Sequence, residues 1–200
     1  MKTVIKLILA AAVAGLAYVL YLQIMNPLQF IETQEAREKE VVQLMKDIRS
    51  AQRAFKSVHG VYTKSMDSLV EFVQKDSLTF EVKFGSEDDS LAKARGEVKT
   101  FKIKMAVLDT IFNPNFDATK LRYIPFSNNE EIIMDADTIR TESKVLIPVF
   151  EAKAPYKAFL ADQDQQELIN LIDRRKSIDK YPGIKVGSIE SATNDAGNWE

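Results

Sequence analysis

Residues able to do chemistry are few in this chain. Its one histidine, His59, stands immediately before Gly60 in FKSVHGVY. At a helix end a protonated imidazole would favour the negative pole of the dipole, and that surface role is the plainer reading than metal ligation. Three acidic runs carry oxygen ligands of the kind calcium takes: Glu87-Asp88-Asp89, Asp162-x-Asp164 and Asn194-Asp195. None has the twelve-residue spacing of an EF-hand loop, so solvated loops are expected there. Lys99, Lys102 and Lys104 alternate with apolar residues, which marks the wet face of a strand better than an anion-binding patch. With no cysteine, thiolate nucleophiles, disulfides and Cys-based zinc sites are excluded. No G-x-S-x-G is present, and the spacing of Ser, His and Asp suggests no triad. The expectation is a chain with no catalytic, cofactor-binding or metal-binding residues. A formal net charge of −2 gives no basis for a nucleic-acid partner.

The elements that would position these residues begin with an apolar N-terminus, MKTVIKLILAAAVAGLAYVLYLQIM. After Lys2 and Lys6 no charge occurs until Glu32, and Leu7 to Met25 gives 19 residues with Gln23 the only strongly polar one. As a helix that run is about 28 Å long, close to the roughly 30 Å hydrocarbon core of a bilayer. Tyr18 and Tyr21 lie toward its outer end, where amphipathic rings favour the interface. Small-x-small sites occur at Ala12-Val13-Ala14 and Gly15-Leu16-Ala17, so a cleaved signal peptide is the competing reading. The apolar run continues past both, which favours an uncleaved anchor. Lys2 and Lys6 on one flank, against Glu32, Glu35, Glu38 and Glu40 on the other, put the N-terminus inside. The expected partner is the lipid bilayer, with the N-terminus cytoplasmic and the remainder in the periplasm.

Asn26-Pro27 is expected to end this helix and start a fresh one with a kink between. Residues 32–40 are polar all round, and from Val41 an apolar stripe follows: Val41, Leu44/Met45, Ile48, Ala51, Phe55, Val58. Its three-and-four spacing is one helix face, expected to pack on a core. Gly60 is the stop. A short helix over Met66, Leu69, Val70 and Val73 is capped by Thr63 or Ser65. Then the period becomes two. LTFEVKF (78–84) and TFKIKMAVL (100–108) read as an antiparallel, half-buried pair around a polar tip, residues 85–96. LRYIPFS and EEIIMDA are weaker strands. KVLIPVFEA is a stronger one that Pro148 should confine to an edge or bulge. A helix is expected within 156–176, with a strand there left open, then a last strand in GIKVGSI and a polar tail whose Trp199 docks on the domain, contacts a partner or belongs to a frayed terminus. The fold class is α+β: an N-terminal transmembrane helix continuing after the proline break into a long amphipathic helix packed on an antiparallel sheet. Residues 1–26 form a stub and anchor, 27–40 a polar stalk, 41–190 an α+β periplasmic head, and 191–200 a tail.

This plan resembles type IV pilins and type II secretion pseudopilins. Major pseudopilins end the long helix with A-x-x-x-Y-x-x-x-x-G-x-Y-P-T-x-x-x-x-L, and Ala51, Phe55, Gly60, Tyr62, Thr63 and Leu69 stand at matching or nearby places, over roughly residues 1–75. The resemblance implies a structural or assembly subunit of a bacterial envelope, secretion or pilus-like machine, non-enzymatic, with other envelope proteins as partners in a homo- or hetero-oligomer. Pseudopilins can carry calcium in their C-terminal loops, so the resemblance keeps calcium as the alternative there to the expected solvated loops. Gly15 lies inside the apolar run, with no carboxylate from 1 to 31, so the prepilin peptidase motif is not present. The whole chain, with its GNWE ending, also resembles single-pass envelope proteins of Gram-negative bacteria, a likeness that implies no activity. Ala10, Ala14, Ala17 and Gly15 offer small residues for helix packing. The alternative is a solitary periplasmic binding module with a ligand between head helix and sheet.

Overall fold

A computed structural model describes residues 2–84, 99–141 and 143–200. The apolar N-terminus and the striped segment form one helix, α1 (Lys2–His59), assigned without interruption through Pro27. The expected break and fresh start at Pro27 are therefore corrected. Proline inside a helix forfeits one backbone bond and crowds the carbonyl four residues back, at about 3 kcal/mol. Here it is flanked by Leu28, Gln29 and then Glu, Gln, Ala and Arg residues, all good helix formers, and helix propagation is cooperative. α1 ends as expected. Gly60 takes φ +78° and its N–H donates to Lys56 O at 2.8 Å, closing the last turn.

Helix α2 (Met66–Lys75) is capped by Ser65, whose hydroxyl accepts from Ser68 N, and buries Leu69, Phe72 and Val73. Strands β1 (Ser77–Phe84) and β2 (Lys99–Ala106) pair antiparallel, with Leu78 opposite Met105, Phe80 opposite Ile103 and Val82 opposite Phe101. The alternation is thus the one expected, but its apolar face is not covered as expected: Phe80 is 39% and Phe101 49% exposed. A two-stranded ribbon contributes no second layer of its own, so its apolar face stays open unless another element folds over it. The expected tip, including Glu87-Asp88-Asp89, lies outside the described residues. β2 stops at Ala106, where the short helix α3 (Val107–Ile111) begins.

LRYIPFS is not a strand. A 3-10 turn (Ala118–Leu121), capped by Asp117, and an isolated bridge between Tyr123 and Glu131 occupy that region. EEIIMDA contributes to β3 (Ile133–Arg140), and KVLIPVFEA to β4 (Leu146–Pro155). With β5 (Gly183–Gly187) they form one sheet in the order β3-β4-β5. β4 is central, which corrects the edge assignment drawn from Pro148. Pro148 lies opposite Thr138 and two residues before Phe150, whose carbonyl meets Gly187 at the end of β5, so it sits beyond the stretch of β4 that β5 pairs and its missing N–H is not asked for there. Gly183 and Gly187 lie so close to Ala154 O and Phe150 O that an added Cβ would sit 2.3 and 2.1 Å from them. Two short helices, α4 (Tyr156–Phe159) and α5 (Gln165–Lys176), fill the segment where a helix was expected. The architecture is α+β, with one long N-terminal helix and small antiparallel sheets.

Chain contacts divide the protein into two compact units. The first comprises Met1–Gln43, Ile124–Glu130 and Ala154–Ile184. Its interior holds Phe30, Val41, Tyr156, Phe159, Leu160, Leu168, Leu171 and Ile172, each at most 7% exposed. Arg37 ties α1 to the α4–α5 connection. Its guanidinium donates to both carboxylate oxygens of Asp162 at 2.5 and 2.8 Å, donates to Phe159 O at 2.7 Å, and lies 5.0 Å from the Phe126 ring centre. Asp164 caps α5, accepting from Gln166 N and Glu167 N, and α5 ends on Arg174, Arg175 and Lys176, the sign its dipole favours.

The second unit comprises Leu44–Tyr123, Glu131–Lys153 and Lys185–Glu200. It buries Met45, Ile48, Ala51, Leu69, Phe72, Val73, Leu121 and Phe150. Gln52, fully buried, donates to Thr63 O at 2.6 Å and accepts from Thr63 N at 3.1 Å, so one amide side chain fastens the turn after α1 back onto the helix. In the sheet, Glu151 is buried between the ammonium groups of Lys153 and Lys185.

Candidate functional site

The densest polar constellation in the second unit forms where the C-terminal residues return to α1. Arg49, Arg53 and Lys56 are spaced by four and three, which puts them on one helix face. Arg49 donates to Glu200 Oε1 at 2.6 Å and to Asp195 O at 3.3 Å, and its guanidinium carbon lies 5.9 Å from the Trp199 ring centre. Arg53 donates to Asp195 Oδ2 at 3.0 Å and Asn194 O at 2.9 Å. Tyr62 donates its hydroxyl to the same Asp195 oxygen at 2.8 Å, and Lys56 sits 4.6 Å over the Tyr62 ring with Nζ 3.4 Å from the hydroxyl.

Backbone geometry aims these groups. Asn194 and Asp195 take φ of 53° and 59°, the left-handed region that Asn and Asp tolerate best among residues with a side chain. Gly187 N donates to Ala196 O, Asn198 N donates to Lys185 O, and Gly197 bridges Val186, so the tail runs antiparallel along β5. The Trp199 ring folds over Gly197, where an added Cβ would meet it at 2.4 Å. Of the readings of the tail left open by the sequence, docking on the domain is the one observed.

Beside this clamp is a cavity of about 260 Å³ lined by Lys56, Tyr62, Ile147, Pro148, Val149, Ser188 and residues 192–195. It combines an ammonium group, hydroxyls and an apolar wall, a set suited to a small ligand bearing an acceptor group. It offers no ready general base. The Asp195 carboxylate is occupied by Arg53 and Tyr62. The Tyr62 hydroxyl is pushed above its ordinary pKa, first by burial and then by bonding to Asp195, so it stays a donor.

The remaining candidate residues are scattered. His59 stacks on Phe55 at 4.1 Å between ring centres and meets the edge of Phe72 at 5.7 Å, with Nδ1 3.2 Å from Phe55 O. Asp162 is engaged by Arg37 and Asp164 by the α5 cap. Lys102 pairs with Glu81 across the β1–β2 ladder at 3.3 Å, and Lys104 faces Thr79. Among the described residues, no three His, Cys, Asp or Glu side chains cluster so as to hold a metal ion. Sequence reasoning missed the Arg49-Arg53-Lys56 face, although its spacing was visible. It also missed Gln52, the one polar residue set on the apolar stripe four residues beyond Ile48.

The described residues contain one helix long and apolar enough to cross a membrane, and none of its most apolar window is buried in the protein. Compared with models of known families, with curated proteins and with solved structures, the chain matches none.

Proposed function

We propose that this chain is a single-pass, membrane-anchored structural or assembly subunit of a bacterial envelope machine, pilin-like in plan and non-enzymatic. The observation that carries the reading is the uncovered apolar stretch of α1: Leu7 is 72%, Leu16 66% and Ile24 67% exposed to surroundings that water would make costly. The same helix then continues without a break into the packed part of the chain. An anchor continuous with a folded domain keeps that domain at the membrane, and this is the mechanism. The flanking charges favour a cytoplasmic N-terminus and a periplasmic domain on the inner membrane. Ala10, Val13, Ala14 and Ala17 line one shallow groove of the span with Lys6 and Leu9, a surface on which another membrane helix could pack closely. Purification of the full chain from native membranes in mild detergent tests the reading. A stable complex with other envelope proteins or with itself supports it, and a lone monomer at native abundance refutes the assembly role.

A second reading, a tethered binding module, is favoured by the cavity beside Tyr62 and Lys56. Thermal unfolding of the detergent-solubilised chain against small carboxylates and amides separates the two, because a ligand of the native state raises the melting temperature. The Lys56→Met variant should abolish that rise if the cavity is the site.

A further inference from the structure

We infer that the C-terminal end of α5, with the turn after it, is a docking surface for anionic phospholipid headgroups of the membrane that α1 spans. The inference rests on the anchoring reading above and adds a partner to it. All the residues concerned belong to the first unit.

Two sets of contacts fix the direction of α5. At its start, Asp162 is held by Arg37 of α1. Near its end, Leu171, Arg174, Arg175 and Ile178 line a groove of about 280 Å³ together with Ile31, Gln34 and Glu35 of α1. Contacts therefore move from Arg37 back toward Ile31 as α5 advances, so α5 runs antiparallel to α1, toward the apolar span. Its 12 residues cover about 18 Å. Ile31 lies six residues beyond Met25, the end of the apolar run, or about 9 Å along the helix. The headgroup layer is roughly 5–8 Å deep on each side of the hydrocarbon core. Long basic side chains at this level reach that layer, and a Debye length of about 8 Å brings its phosphates within range.

The side chains present there suit such a surface. Arg174, Lys176 and Lys180 are exposed, and none pairs with a carboxylate among the described residues. Arg175 turns inward instead, with its guanidinium carbon 6.0 Å from the Tyr156 ring centre. Between the cations the chain exposes Ile178 (56%), and α1 exposes Ile31 (48%) and Leu28 (45%). Free cations around exposed isoleucines, beside a membrane span, match an interface with anionic headgroups outside and acyl chains beneath. Glu35 in the groove and Asp173 and Asp179 nearby oppose this charge, so the attraction is expected to be moderate and salt-sensitive.

Because the chain has no cysteine, one label site can be introduced cleanly. The full chain carrying Ile178→Cys with an environment-sensitive fluorophore is reconstituted into phosphatidylcholine vesicles, with and without phosphatidylglycerol at about a third of the lipid. A second chain labelled at Gln166→Cys, at the other end of α5, is the reference. The expected result is a blue shift and quenching by nitroxide lipids at position 178 and not at 166. Both effects should grow with phosphatidylglycerol and fade in ~0.5 M salt. In the Arg174→Gln/Lys176→Gln/Lys180→Gln chain, at least about threefold more phosphatidylglycerol should be needed for half the shift. A label equally lipid-facing in neutral vesicles would overturn headgroup recognition. So would a label that stays aqueous while the chain resists carbonate extraction. If the chain fails to integrate into any vesicle, the anchoring reading itself fails, an outcome distinct from the other two.

Discussion

The two ends of α1 carry different amounts of apolar residue, arranged differently, and meet opposite fates. From Leu7 to Ile24 the apolar side chains surround the helix, and none of them is buried among the described residues. From Val41 to Ala51 they occupy one stripe, and Val41, Met45, Ile48 and Ala51 are fully buried. What separates the ends is the angular distribution of hydrophobicity. A stripe is covered by a single folded neighbour, whereas an all-round apolar surface requires a surrounding apolar phase. Glu, Gln, Arg and Lys between residues 32 and 40 mark the change of surroundings along a helix whose backbone does not change.

The strongest way to break this comparison is to shorten one side chain at each end. Ile48→Ala removes buried atoms and leaves a cavity, and should cost about 2–5 kcal/mol of unfolding free energy in detergent. Leu9→Ala should leave denaturant unfolding of the folded part unchanged, because Leu9 touches none of its core. Equal losses at both sites would mean that the apolar span is packed as protein core. Next in size is Gln52→Leu. It keeps the volume but leaves Thr63 N–H and C=O without their partner in a partly buried site, so about 1 kcal/mol should be lost. Hydrogen exchange at the Thr63 amide should rise in the same variant.

What was legible in the sequence follows the same division. Elements set by local pattern were readable: the stripe ending at Gly60, α2 with its Ser65 cap, the alternation and antiparallel pairing of β1 and β2, and the last strand. Pro27 misled because a local rule about one residue was outweighed by helix-forming neighbours on both sides. Pro148 misled because it sits beyond the residues of β4 that β5 pairs, so the hydrogen bond it cannot donate is not asked of it. Neither fact is local. The tail clamp was half legible: three basic residues on one face of α1 could be seen, but not that Asp195 and Glu200, more than 140 residues away, would meet them. Gln52 signalled itself only as a polar interruption, with nothing to say that its partner was a turn eleven residues on.

Charge sharpens the comparison on a smaller scale. Asp162 has its pKa lowered to about 2, chiefly by the hydrogen bonds from Arg37. A depressed carboxylate adds stability that is complete above its unfolded pKa near 4 and is lost as pH falls through about 2. With 59% of its side chain exposed, the contribution is screened and should stay below about 1 kcal/mol. Asp162→Asn should therefore lower stability slightly at pH 7 and flatten its decline between about pH 4 and pH 2. Salt at ~0.5 M should shrink the difference. An Asp162→Asn chain whose acid unfolding matches the parent would show that Arg37 is held by Phe159 O and Phe126 alone.

The smallest effect has the opposite sign. Tyr156 is fully buried in the first unit and its hydroxyl makes no hydrogen bond. Glu38 and Arg175 both lie within reach of the hydroxyl and act on it. Burial, then the charge of Glu38, pushes its pKa up to about 12, so the group is neutral at any physiological pH. An unpartnered buried hydroxyl is a net cost, because water bonded it in the unfolded chain. Tyr156→Phe keeps the ring that packs against Phe159 and the ring face under Arg175, and removes only the oxygen. The variant should be as stable as the parent or more stable by up to about 1 kcal/mol, read as a melting temperature held or raised. A loss of stability would reveal a partner for the hydroxyl, either an ordered water or a shifted Glu38. It would also add a second polar contact inside the unit that carries the span, beside the one Arg37 makes to Asp162 and Phe159 O.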